Sequence, residues 1–437
     1  MAFAAPPAAA AAAASTAPGN TRYTTYPLAL GVLTTIFFMW GFLTCLNDIL
    51  VPHLKSTFQL NYTQAILVQF TFFGAYFVMA MPAGKLIAAL GYKKGIVAGL
   101  AIAGVGALGF WPAAALHLYP AFLGALFVLA TGITVLQVAA NPYVALLGPE
   151  ATSSSRLTLA QALNSFGTTI APYFGSVLIL ANAVKSPTEL AALAPADQLA
   201  YQAQQAQSVQ YPYIGLAVVL FLLALFVWAF RLPALTEATD RGDHERHGFA
   251  EVLRHRHVLF GVIGIFCYVG AEVSLGSYMV NYLSMPEIGH LSEADAAKYV
   301  SLYWGGAMVG RFAGSWIMAW FSPRKLLALF AAINVVLVAT TMTTTGNLAM
   351  VSVIAVGLFN SIMFPTIFAL GIERLGPMTS KASSLLIMAI VGGALIPQLQ
   401  GMLADRFGLQ HAFVLPLACY LYIVFYGLSG SKVRSVA

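Results

Sequence analysis

The sequence predicts an all-α membrane protein of twelve transmembrane helices, arranged as two six-helix bundles related by pseudo-twofold symmetry. Three observations predict it. Hydrophobic residues fill 59% of the 437 positions and charged residues only 8%, whereas a soluble domain is roughly a quarter charged. That leaves too little polar surface to cover a water-soluble body, so the solvent is largely lipid. Twelve apolar runs approach the ~20 residues needed to cross a bilayer. Two connections repeat their pattern at matching places in the two halves.

The runs cover residues 27–50, 64–90, 95–116, 120–146, 156–181, 211–232, 257–283, 297–321, 325–345, 348–372, 380–403 and 411–430. Internal glycines and prolines are ordinary in membrane helices, where neighbours satisfy the freed backbone groups. Residues 1–26 read as a flexible tail. The tail does not open on the basic region of a signal peptide, so the first run is expected to act as an uncleaved insertion signal. Residues 27–232 form the N-terminal bundle and 257–437 the C-terminal one, joined by a charged, turn-prone linker at 233–256. Residues 183–209 read as a non-helical connection on the opposite side.

Basic residues orient the chain. Of 21 Lys and Arg, Lys55, Lys185, Lys298 and Arg406 lie on one side and Arg311 lies within the eighth run. The other sixteen share the side of both termini, which is therefore predicted to be cytoplasmic. The net charge of +6 is scattered at the ends of runs and indicates no nucleic-acid partner. Cys45, Cys267 and Cys419 lie inside runs without metal-ligand spacing and read as packing residues. No cofactor or metal is expected.

The halves repeat. The second run ends AGKLIAALGYKKG and the eighth AGSWIMAWFSPRK. LLGPEATSSSR precedes the fifth run, and RLGPMTSKASS leads into the eleventh. Parallel repeats of six helices are the plan of the major facilitator superfamily, with substrate near the midplane between halves.

Seven strings carry a closer resemblance. They are LNDILVPHLK (46–55), PAGKLIAALGYKKGIVAGL (82–100), AANPYVALLGPE (139–150), RLTLAQALNSFG (156–167), CYVGAE (267–272), GRFAGSW (310–316) and FPTIFALGI (364–372). In them the chain resembles the fucose/galactose/glucose–proton symporter family of that superfamily. The variants ITVLQVAANPYV and YVGAEVSLGSY are closer to glucose/galactose carriers than to the fucose permease. The resemblance implies a bacterial inner-membrane protein, with both termini cytoplasmic, that imports a monosaccharide by alternating access with protons and works as a monomer. It also implies that Asp48 matches one of the permease's two key membrane carboxylates. The other is a glutamate where this chain has Gln137, while Glu272 stands where the permease has glutamine. The acid has moved from the fourth helix to the seventh.

The residues themselves point to the same chemistry. A carboxylate at membrane depth costs at least ~2.5 kcal/mol, so it usually faces a cavity and works there. Asp48 and Glu272 are the acids well within runs, and a carboxyl shielded from water can exchange protons near neutral pH. Asp48 is assigned as proton carrier; its competing reading is an acid at a helix end reaching interfacial water. Tyr268, one turn before Glu272, shares its helix face. A carboxylate accepts sugar hydroxyls while a ring covers a C–H face. The competing reading of Glu272 is a structural pair with Arg311.

Membrane amides form a second set. Gln137 and Asn141 are four apart, and Gln161 and Asn164 three apart, so each pair shares a face. An amide offers both donor and acceptor to a hydroxyl. Asn47, Asn281, Asn334, Asn360, Gln398 and Gln400 are further candidates, with interhelical bonding as the alternative for each. Aromatic residues Trp40, Phe70, Phe73 and Trp304 complete the reading of a site for a neutral polyhydroxy ligand.

Other classes compete. A uniporter would bind sugar without coupling, and the cargo could be glucose, galactose, fucose or an amino sugar such as N-acetylglucosamine. A membrane enzyme would need a catalytic or metal-binding cluster. The eight histidines instead lie in loops or at helix ends, without H-x-x-x-H spacing. A sensor on a transporter fold is the fourth possibility.

Overall fold

The computed structural model describes residues 26–57, 62–116, 118–178, 193–233 and 248–433. No strand occurs among them. The first six long helices are α1 (Pro27–Thr57), α2 (Tyr62–Leu90), α3 (Tyr92–Ala115), α4 (Tyr119–Leu146), α5 (Ser153–Leu178) and α6 (Pro195–Ala229). The second six are α7 (Arg256–Leu283), α8 (Glu293–Ile317), α9 (Pro323–Thr343), α10 (Gly346–Gly371), α11 (Gly376–Phe407) and α12 (Leu409–Gly430). The expected tail up to residue 25, and residues 234–247 of the expected linker, lie outside the described residues.

Local chemistry sets several starts. α1, α6 and α9 open on proline, whose missing N–H is no loss in a first turn. At α8 the Ser292 hydroxyl caps the helix by accepting from the Asp295 N–H at 3.2 Å. Gly408, at φ 85°, makes the turn from α11 to α12, a conformation glycine adopts without steric cost.

Two boundaries differ from expectation. α6 begins at Pro195, sixteen residues before the apolar run, so much of the connection expected to be non-helical is helix. Its Ala- and Gln-rich sequence favours helix without being apolar. At 35 residues the helix is roughly 52 Å long, well over the ~30 Å hydrocarbon core. α1 runs on to Thr57, which puts Asp48 inside the helix rather than at its end.

The first six helices pack together through α1–α5, α2–α4, α3–α4 and α3–α6. The second six pack through α7–α11, α7–α12, α8–α10, α9–α10 and α9–α12. Across the seam the main partners are α2 with α11 and α5 with α8, then α4 with α11 and α5 with α10. These four pairs fall into two equivalents under exchange of the halves. Among the described residues ten helices are long and apolar enough to cross a membrane, and α5 and α8 fall short. They are the two that pack on each other across the seam, so part of their surface faces protein rather than lipid.

Candidate functional site

Prolines inside α4 and α10 open the backbone where the halves meet. A proline has no N–H for the carbonyl four residues earlier. Pro142 therefore frees the Val138 carbonyl, and Ser383 of α11 donates to it at 3.0 Å from the other half. Pro365 frees the Ser361 carbonyl, next to an interruption in α10, and Arg311 Nε donates to it at 3.2 Å.

The repeated motifs also meet here. Ser155, in the first turn of α5, donates to the Ser315 carbonyl at the end of α8 at 2.6 Å. At the equivalent place a Cβ on Gly84 of α2 would lie 2.6 Å from Ser384 Oγ of α11, so the helices touch because glycine has none. Beyond them, Glu150 and Arg374 pair at 3.6 Å between the two connecting loops. The seam is thus closed from the loop end to the level of Ser165, which takes a hydrogen bond from Arg311.

At that level Glu272 is buried on α7. The Tyr268 hydroxyl donates to its Oε1 at 2.7 Å, and Arg311 Nη2 stands 3.5 Å from the same oxygen. The pair with Arg311, the competing reading of Glu272, is therefore formed. It is formed inside a polar network, beside the seam. Tyr303 donates to the Glu272 carbonyl at 3.2 Å and accepts from Asn360 Nδ2 at 2.8 Å. Asn360 Oδ1 accepts from Asn334 at 2.8 Å and from Tyr420 at 2.7 Å. Among the described residues Glu272 Oε2 has no hydrogen-bond partner, which leaves it to accept from a ligand hydroxyl.

The N-terminal half contributes amides. Gln161 Nε2 reaches Asn141 Oδ1 at 3.4 Å, a long contact. Asn141 Nδ2 and Thr158 Oγ1 are buried without a hydrogen-bond partner among the described residues. Gln137 donates to Tyr76 at 2.7 Å. Asn164 donates to the Phe37 carbonyl at 2.9 Å, tying α5 to α1 in the interhelical manner. Nearby Gly167 lies against the α1 backbone at Phe38 and Phe42. Gln137, Asn141 and Gln161 thus have buried amides in the N-terminal half, while Tyr268, Glu272 and Asn360 join one network in the other.

Other candidates lie elsewhere. Asn281 is exposed near the end of α7. Trp40 is buried and packs on Phe37 with ring centroids 4.3 Å apart, whereas Phe70 and Trp304 are exposed. The backbone of Asn47 and Asp48 belongs to α1, but their side chains lie outside the described residues. Arg324, at the start of α9, bridges Glu373. Tyr76, Ser165, Tyr303 and Tyr420 were not legible as polar partners, because an aromatic or serine in an apolar run looks like packing.

The chain matches the model of the Major Facilitator Superfamily over residues 28–397. It is 53% identical over 407 residues to a glucose/galactose transporter of Brucella abortus, covering 93% of this chain and 95% of that one. A crystal structure of the E. coli fucose:proton symporter FucP superposes with a TM-score of 0.87 at 35% identity, covering 94% of this chain and 100% of the other. A structure of FucP in the outward conformation gives 0.86 at 36% identity, covering 92% and 99%.

Proposed function

The chain belongs to the Major Facilitator Superfamily, and from that premise we propose that it imports a neutral hexose of the glucose/galactose type, coupled to protons, by alternating access. The observation that carries the reading is the network of Glu272, Tyr268 and Arg311 set against Ser165 of the other half. A carboxylate with one oxygen uncommitted, beside buried amides, suits hydroxyl recognition. The resemblance to a glucose/galactose transporter supports that cargo class, and the likeness to a fucose:proton symporter supports proton coupling.

In this reading the bundles 27–232 and 257–437 move as two bodies about the linker. The membrane is the bacterial inner membrane, and the protein acts as a monomer. The closed end of the seam is cytoplasmic, as the bias of basic residues supports, so the state described is open outward. Asp48 carries the coupling proton. Glu272 binds sugar hydroxyls, and its charge state follows binding. Asn47, Gln137, Asn141, Gln161, Asn164, Tyr268 and Asn360 complete the candidate binding set, without Asn281, which is exposed near the end of α7.

The test is uptake of labelled glucose, galactose, fucose and N-acetylglucosamine into proteoliposomes, with and without an inward proton gradient. Gradient-driven accumulation of glucose or galactose is expected. Saturable exchange that ignores the gradient would favour the uniporter reading, to which the uncharged Gln137 lends weight. No uptake of any sugar would overturn the proposal.

A further inference from the structure

The Arg311 guanidinium holds groups from three other helices. Nε donates to the Ser361 carbonyl of α10 at 3.2 Å, and Nη2 faces Glu272 Oε1 of α7 at 3.5 Å. Nη1 donates to Ser165 Oγ of α5, in the other half. A planar fork of five N–H groups can serve three such acceptors together, whereas a lysine ammonium is a point donor. Both neutral acceptors are prepared. Pro365 leaves the Ser361 carbonyl open, and the Ser165 hydroxyl spends its own proton on the Gln161 carbonyl at 3.1 Å, keeping lone pairs for Arg311. Ser165 lies twelve residues beyond the start of α5, roughly 18 Å along it, about midway along the helix.

Tyr268 of α7 and Arg311 of α8 face the Glu272 carboxylate, Tyr303 of α8 donates to its backbone carbonyl, and Asn360 of α10 and Tyr420 of α12 complete the surrounding network. Among the described residues, Arg311 is the cation facing it. With Glu272 ionised, its charge holds the guanidinium in place while Tyr268 donates to the same oxygen. With a proton on Glu272, the attraction to Arg311 is lost, and Tyr268 can turn its own proton to the Asn360 carbonyl, 3.1 Å away. We infer that Arg311 is a positioning residue of the transport cycle, carrying the charge state of Glu272 across the seam to Ser165 of the N-terminal half. The inference rests on the sugar-transport reading above.

A double-mutant cycle in proteoliposomes tests it, reading sugar exchange at zero proton gradient. Arg311→Gln strands the Glu272 charge and cuts the tie to Ser165, so exchange should fall at least ~10-fold. Combining it with Glu272→Gln should restore exchange to the level of Glu272→Gln alone, since the two residues act as one unit. A double variant that exchanges less than either single variant would overturn the inference, because Arg311 would then act independently of Glu272. If Arg311→Gln does not reconstitute, Arg311→Lys takes its place in the same cycle. Ser165→Ala should change the maximal exchange rate and leave KM unchanged; a shift in KM alone also overturns the inference. A wild-type chain that exchanges no sugar removes the transport reading itself, whereas a wild type that exchanges normally beside a non-rescued double variant removes only the linkage.

Discussion

The Tyr268 hydroxyl lies 2.7 Å from Glu272 Oε1. It also lies 3.1 Å from the Asn360 carbonyl, and with one proton it can donate to only one of them at a time. Tyr268 thereby couples the charge on α7 to the interrupted stretch of α10.

Tyr268→Phe removes that donor while keeping the ring. A hydrogen bond to a charged group contributes ~1.5–3 kcal/mol, so KM for sugar counterflow should rise at least about tenfold. An unchanged KM in well-folded protein would make the hydroxyl purely structural.

Among the described residues the Gln161 side chain makes only a long contact to Asn141, at 3.4 Å, which leaves its amide available to a ligand. Gln161→Ala should weaken sugar binding by roughly ten- to a hundredfold, the loss of one or two neutral hydrogen bonds. Titration calorimetry on protein of normal stability checks it, and an unaltered affinity would move Gln161 out of the site.

The roles proposed for the two membrane acids are separable by substitution. Asp48→Asn imitates the neutral carboxyl, the form in which crossing a dry midplane is least costly. It should abolish accumulation driven by a proton gradient and retain exchange. Glu272→Gln should lower sugar affinity and retain coupling. Flux assays showing that Asp48→Asn still concentrates sugar, and Glu272→Gln does not, would mean the assignments are reversed.

Gly84 tests the seam. A valine there would place its Cβ 2.6 Å from Ser384 Oγ, wedging α2 from α11. Ser383, buried at the same seam, reports the result. In a Ser383→Cys background, Gly84→Val should speed labelling by a permeant maleimide, because the wedge favours opening at this end. Equal rates would show that the seam absorbs the wedge.

Orientation has a direct test. A cysteine replacing Ala196 should react with an impermeant thiol reagent in intact cells, and one replacing Asp243 should not. The opposite pattern would invert the topology.

The helices were legible because a bilayer demands long apolar runs. The repeated motifs were legible because equivalent contacts use similar residues: Gly84 against Ser384 on one side, Ser155 against Ser315 on the other. The start of α6 was missed because Ala- and Gln-rich helix outside the hydrocarbon carries no apolar signal. The wider hydrogen-bond network was also hidden. Lipid is as apolar as a helix interior, so a buried face and a lipid face look alike in sequence. Tyr303 and Tyr420 therefore read as packing aromatics until the fold brought both to Asn360.

By itself the sequence determined a twelve-helix membrane chain with an internal repeat and two acids in its runs, because composition and period are properties of the chain alone. Only the tertiary structure decided that Glu272 meets both Tyr268 and Arg311, and that Arg311 also reaches Ser165 in the other half. Ser165 and Arg311 are 146 residues apart, and no local pattern specifies such a pair. It exists because two helices too polar to be left wholly to lipid pack on each other, and because Pro365 opens a carbonyl where the guanidinium lands.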